Sequence, residues 1–159
     1  MDKNSLREKL KISFIVPCYN AEKTVDETVN SILSLELRYF EICLVDDGSA
    51  DRTWERLESF RKKYPGIIKI ENNSENRGGG YTRNRCFSMS THPYIFCLDS
   101  DNVLHTESFF RLLNVLEEQD SMITFDTIKF FYSTPFDWLK LCYKSSSACW
   151  CWNTRARSR

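Results

Sequence analysis

Short apolar runs alternate with longer amphipathic stretches from residue 12 onward. The run "ISFIVP" (12–17) is rich in branched and aromatic side chains and is stopped by Pro17, which predicts a buried strand. In "AEKTVDETVNSILS" (21–34), Val25, Val29, Ile32 and Leu33 fall on one helical stripe, with Asn20 placed to cap it. "FEICLV" (40–45) predicts a second strand, closed by the turn "DDGS" (46–49). Asp51 or Ser49 is expected to cap the next helix, striped by Trp54, Leu57, Phe60 and Tyr64 and ended by Pro65 and Gly66. "IIKIE" (67–71) reads as a third strand, "NNSENRGGG" (72–80) as a loop, "YTRNRCFSMS" (81–90) as a helix and "YIFCL" (94–98) as a fourth strand running into Asp99. Thr106 is expected to cap a helix carrying Phe109, Phe110, Leu112, Leu113 and Leu116, and "MITF" (122–125) to form a fifth strand.

Strands alternating with helices predict an α/β fold, a mainly parallel sheet with helices on both faces. Ligands of such open sheets bind beyond the carboxyl ends of the strands. The polar motifs of this chain fall there: "CYN" after the first strand, "DDGS" after the second, "NNSENRGGG" after the third and "DSDN" after the fourth. One polar turn at a strand end is ordinary turn chemistry. A series of them along one rim, with carboxylates on two and consecutive glycines on another, points to a built site.

The length of 159 residues and the 42% apolar share suit a single compact domain. Lys plus Arg and Asp plus Glu balance at 22 each, so no global field recruits DNA, RNA or an anionic membrane, and nucleic acid is excluded as an expected partner. The charged start "MDKNSLREKLK" lacks the apolar core of a secretory signal, and no later run reaches the length of a membrane span. The chain is therefore expected in the cytoplasm. Its odd count of seven cysteines agrees, because Cys18, Cys43 and Cys97 lie in apolar runs where reduced thiols pack as small hydrophobes. Cys149 and Cys151 have no second Cys or His pair at zinc spacing.

The candidate chemistry is that of phosphates. Gly78, Gly79 and Gly80 permit close approach of backbone to a ligand. They match neither the dinucleotide fingerprint nor a P-loop, since Arg83 stands where the former needs glycine and no GK[ST] follows. Arg83 offers a fork of donors for a phosphate or carboxylate. Asp99 and Asp101, two apart on a turn, can aim carboxylates at one Mg²⁺ or Mn²⁺ that bridges diphosphate oxygens. Asp46 and Asp47 form a separate pair able to accept from base or ribose groups, while an Asp opening the D-G-S turn accounts for one of them structurally.

"SFIVPCYNAEKTVDETVNSIL", "EICLVDDGSADRT" and "NRGGGYTRNRCFSMSTHPYIFCLDSDN", in that order and spacing, resemble family 2 glycosyltransferases of the GT-A fold, over roughly residues 11 to 120. The resemblance implies a Rossmann-like fold and transfer of a sugar from a nucleotide-diphosphate donor to an acceptor hydroxyl on a sugar, lipid or polysaccharide, with inversion. It implies that Pro17, Tyr19, Asn20 and Asp47 line the base and ribose, that Arg83 faces the diphosphate, and that Asp99 and Asp101 form the DxD site for Mn²⁺ or Mg²⁺. The expected organisation is an N-terminal extension (1–10), a donor-binding domain (11–140) and an irregular tail (141–159). In the family the acceptor half and its general base lie well downstream of the DxD motif, so a truncated C-terminus is expected. Glu117, Glu118, Asp126 and Asp137 are available carboxylates, none in a family motif.

Two other readings of the same residues stand beside this one. The donor half could bind a nucleotide sugar without turnover, since binding needs only the residues present. "YIFCLDSDNVL" also fits the strand-plus-DxDx[TV] pattern of haloacid dehalogenase-type phosphatases, with Asp99 as covalent nucleophile. In those enzymes the motif usually ends the first strand, whereas here it ends the fourth.

Overall fold

The structure is a computed structural model that describes residues 8, 10–118, 128–129 and 138–143. The elements run β1 (Lys11–Cys18), α1 (Val25–Leu33), β2 (Tyr39–Asp46), α2 (Thr53–Lys63), β3 (Ile68–Asn72), α3 (Gly79–Met89), β4 (Tyr94–Cys97), α4 (Thr106–Glu118), β5 (Ile128–Lys129) and β6 (Trp138–Tyr143). The sheet order is β3-β2-β1-β4-β6-β5. The first four strands are mutually parallel, with Ile15 of β1 in register with Cys43 of β2 and Cys97 of β4. β6 adds antiparallel to β4, and β5 to β6. The expected α/β class with a mainly parallel sheet is what the chain forms.

Alternation along β1 separates the two faces of the sheet. Ile12, Phe14, Val16 and Cys18 pack with Val25, Val29 and Ile32 of α1, Leu57 of α2, Phe96 of β4, and Phe109, Phe110 and Leu113 of α4. Ile15 instead joins Cys43, Val45 and Ile95 beneath Cys86 of α3. The aromatic centre is Phe14, Phe96 and Phe109, with ring centroids 5.3 to 5.8 Å apart. Truncating one such buried ring typically costs about 3–5 kcal/mol, so this cluster is what holds the strands under the rim.

Several boundaries differ from those expected. Asn20 does not cap α1, which starts after Thr24 with no side-chain cap; its amide is used elsewhere. Arg52 occupies the N-cap position of α2, while Asp51 accepts from the Thr53 N–H at 3.0 Å. α3 begins at Gly79, inside the stretch expected to be loop, because Gly78 takes φ +84° and turns the chain directly into the helix. Thr106 lies within α4 rather than capping it, since the Phe109 N–H donates to the His105 carbonyl. β6 crosses the domain boundary expected at 140, drawn onto β4 by its backbone ladder. The strand expected at 122–125 and most of the tail lie outside the described residues.

Candidate functional site

At the carboxyl ends of β1, β2 and β4, one cavity of about 500 Å³ is lined by Pro17, Tyr19, Asn20, Asp47, Arg83, Asp99 and Asp101, among others. These are the residues that the family resemblance assigns to the site; Asp46 and Gly80, also singled out from the sequence, do not line it. What their side chains do there differs from residue to residue.

The loop after β1 is stitched to the loop after β2. The Asn20 N–H donates to Ser49 Oγ at 2.9 Å, the Ala50 N–H to Asn20 Oδ1 at 3.0 Å, and the Ala21 N–H to Thr53 Oγ1 at 2.8 Å. Asn20 pays for its left-handed backbone, φ +49°, with these bonds. Tyr19, beside it, keeps half its surface exposed at the cavity mouth. Asp46 opens the turn, its Oδ1 accepting from both the N–H and the hydroxyl of Ser49. Gly48 closes that turn at φ +68°, and a Cβ there would sit 2.7 Å from the Glu75 carbonyl carbon.

Asp47 is 3% exposed and holds the glycine-rich segment. Its Oδ1 accepts from the Arg77 N–H at 2.9 Å and from Asn73 Nδ2 at 2.6 Å, and its Oδ2 from the Gly78 N–H at 2.9 Å. Burial alone would raise the Asp47 carboxyl. The Arg77 N–H, the Asn73 amide, the Thr82 hydroxyl and the Gly78 N–H outweigh it and hold the group below its ordinary value. Asp47 thus lines the cavity with a carboxylate already committed to the backbone that starts α3.

The turn after β4 is fixed from α1. Thr28 Oγ1 donates to the Ser100 carbonyl at 2.9 Å, and the Leu104 N–H donates to Ser31 Oγ at 3.0 Å. Thr28 and Ser31 are buried, and sequence reasoning passed over both because small hydroxyls inside a helical stripe carry no motif. Asn73, one polar residue among many in a loop, and Thr82 were passed over too; the Asn73 amide donates to Asp47 and to the Thr82 hydroxyl. Beyond the turn, Arg83 Nη2 donates to Asp99 Oδ1 at 2.6 Å in a half-exposed ion pair, while Asp101 is exposed.

Among the described residues, no group of three or more His, Cys, Asp or Glu side chains is arranged to hold a metal. Two hard carboxylates on one turn still fit Mg²⁺ or Mn²⁺, which usually take one or two protein carboxylates and complete the octahedron with substrate phosphates and water. Such an ion would draw on Asp99 Oδ2 and the Asp101 carboxylate, since Arg83 already holds Asp99 Oδ1. Among the described residues no helix is long and apolar enough to cross a membrane.

The mainly parallel α/β sheet, with a carboxylate-bearing cleft across the ends of its first, second and fourth strands, is the Rossmann-like GT-A arrangement of the solved structures it superposes on. The chain belongs to glycosyl transferase family 2, whose family model matches residues 13–158. It is 32% identical over 122 residues to a poly(ribitol-phosphate) beta-glucosyltransferase of Bacillus spizizenii, covering 76% of this chain and 19% of the relative. It is 35% identical over 102 residues to a poly-beta-1,6-N-acetyl-D-glucosamine synthase of Staphylococcus epidermidis, covering 64% and 24% respectively. Staphylococcus aureus TarS in complex with UDP-GlcNAc superposes with a TM-score of 0.57 at 30% identity, over 69% of this chain and 32% of that one. The mannosyltransferase PcManGT of Pyrobaculum calidifontis, in complex with GDP-Man and Mn²⁺, shares the fold at a TM-score of 0.64 and 19% identity, over 72% and 34%. The chain thus spans about a fifth to a quarter of the length of these curated relatives. Family membership displaces the phosphatase reading of Asp99, whose Oδ1 is moreover engaged by Arg83.

Proposed function

We propose that this chain supplies the donor-binding half of a glycosyltransferase, holding a nucleotide-diphosphate sugar for transfer to an acceptor hydroxyl. The observation that carries the reading is the cavity itself: Tyr19, Arg83, Asp99 and Asp101, spread across the sequence, share one cleft of ligand size at the strand ends. UDP and UDP-GlcNAc are bound by TarS, a relative at 30% identity, which supports a uridine nucleotide as the first donor to try.

In this reading Pro17, Tyr19 and Asn20 form the wall for the base and ribose, and the exposed Tyr19 ring offers a face for stacking. Asp47 shapes that wall indirectly, by fixing the Arg77–Gly78 backbone. Arg83 presents its fork to the diphosphate. Asp99 and Asp101 would hold Mg²⁺ or Mn²⁺, which supplies charge neutralisation as the nucleoside diphosphate departs. The acceptor is a sugar, lipid or polysaccharide hydroxyl, and its general base is unassigned. The buried cysteines Cys18 and Cys86, held as thiols in the apolar core, support a reducing, cytoplasmic setting.

Calorimetric titration of the chain with UDP, with and without Mn²⁺, tests the reading. Metal-dependent binding is expected, and Asp101→Asn should remove most of the metal dependence while leaving the weaker metal-free binding. No binding of UDP or any other nucleoside diphosphate would refute it. Release of nucleoside diphosphate from the sugar donor, followed with and without acceptors, then separates binding alone from transfer.

A further inference from the structure

The consecutive glycines of "RGGGYTR" stand in unequal surroundings. Gly78 takes φ +84°, a conformation costly for any side chain. Gly80 has open space around the position a Cβ would occupy and no left-handed backbone. Gly79 differs from both: a Cβ there would lie 3.0 Å from Arg83 Nη1 and 3.8 Å from Arg83 Cζ. Positions 79 and 83 are one turn apart at the start of α3, and helical side chains lean back toward the N-terminus. The Arg83 guanidinium therefore lies over bare backbone at Gly79, and from there Nη2 reaches Asp99 Oδ1 at 2.6 Å.

We propose that Gly79 is a positioning residue for Arg83: its missing side chain is the notch in which the guanidinium lies, aimed into the cavity. The notch lies inside the cleft, since Gly79, Arg83 and Asp99 all line it. Asp47 fixes its floor by holding the Arg77 and Gly78 N–H groups. A methyl at position 79 pushes the flexible end of Arg83 outward and leaves the backbone undisturbed. It follows that Gly79→Ala is tolerated by the fold, because alanine favours helix over glycine, while the Arg83 guanidinium has to give way from the methyl and its aim at Asp99 is impaired. The consequence for ligand binding rests on the donor-site reading above; the placement of Arg83 does not.

Gly80→Ala is the matched control, with the same added methyl one residue along and nothing for it to meet. The test compares Gly79→Ala and Gly80→Ala, each in the wild-type and Arg83→Ala backgrounds, by UDP titration with Mn²⁺ and by thermal melting. Both alanines should keep or raise the melting temperature. Only Gly79→Ala should weaken UDP binding, by about three- to tenfold, the scale of one impaired charge-assisted hydrogen bond. In the Arg83→Ala background the same change should have no further effect, a non-additivity that a general loosening of the helix would not produce. Equal effects of the two alanines on binding, or full additivity with Arg83→Ala, would overturn the assignment. The second readout needs no ligand: in ¹⁵N-arginine spectra of the unliganded chain, Gly79→Ala should shift the Arg83 guanidinium signals and Gly80→Ala should not. If the wild type does not bind UDP but those signals still respond selectively, the donor reading fails and the notch stands. If both variants leave the signals in place, the notch falls.

Discussion

Removing the charge of Glu41 should destabilise the fold strongly at neutral pH and hardly at all in strong acid. Glu41 lies on β2, near the end of the sheet away from the cleft, with its side chain 6% exposed. Its carboxylate accepts from Ser13 Oγ at 2.5 Å, from the N–H of Thr91 and from Thr91 Oγ1 at 2.9 Å, and Lys69 Nζ lies 2.7 Å away. Burial works to raise the group, but Lys69, Ser13 and Thr91 outweigh it and lower the carboxyl from 4.5 to about 2. Because the folded value lies below the unfolded one, the stabilisation is fully present above pH 4.5 and is lost as pH falls toward 2. At about 1.4 kcal/mol per unit, the drop corresponds to about 3 kcal/mol. Glu41→Gln, which keeps the shape and mimics the neutral carboxyl, should therefore cost about 3 kcal/mol at pH 7, with the gap falling to about half near pH 3. Urea unfolding of both proteins at pH 7, 5 and 3 measures it. A gap that stays constant from pH 7 to pH 3 would show that packing, not charge, is what Glu41 contributes.

The cleft yields two further expectations. Because Arg83 engages Asp99 Oδ1, Arg83→Gln should tighten Mn²⁺ binding in the absence of nucleotide by about two- to fivefold, the scale of a half-exposed ion pair. It should weaken UDP binding at the same time; electron paramagnetic resonance of free Mn²⁺ reads the first effect, and metal binding unchanged or weaker in the variant would count against the competition. Asp47→Ala leaves the Arg77 and Gly78 N–H groups and the Asn73 amide without their acceptor, so it should cost about 2 kcal/mol in urea unfolding. Its carboxyl is lowered, so that contribution should fade as pH drops below the ordinary carboxylate range; a loss unchanged in acid would contradict it.

The order of elements was legible because it depends on local periodicity. Val25, Val29 and Ile32 repeat at helical spacing, and all three are fully buried, as are Ile12, Phe14 and Val16 of β1. Helix starts were less legible, since they depend on partners far along the chain. Asn20 has the right side chain for a cap, but its Oδ1 accepts from the Ala50 N–H across the neighbouring loop instead. The start of α3 was hidden for a different reason: glycines favour loops by propensity, and a tertiary anchor, Asp47, draws Gly79 and Gly80 into a helix.

By itself, the sequence determined the alternation of strands and helices and the rim on which the polar motifs gather, because both follow from spacing along the chain and from strand direction, and it carried the motifs by which the chain resembles its family. Tertiary structure decided what each polar group is committed to. Asp46 and Asp47 are indistinguishable as neighbours in a turn, yet one braces that turn by accepting from Ser49 and the other holds the start of a helix more than two dozen residues away. Arg83 meets Asp99 across 16 residues, and Ser13 accepts from the His92 N–H across 79. Such pairings follow no local period. They exist because the buried sheet fixes the strand ends side by side, so that groups remote in sequence satisfy or neutralise one another within a few ångströms.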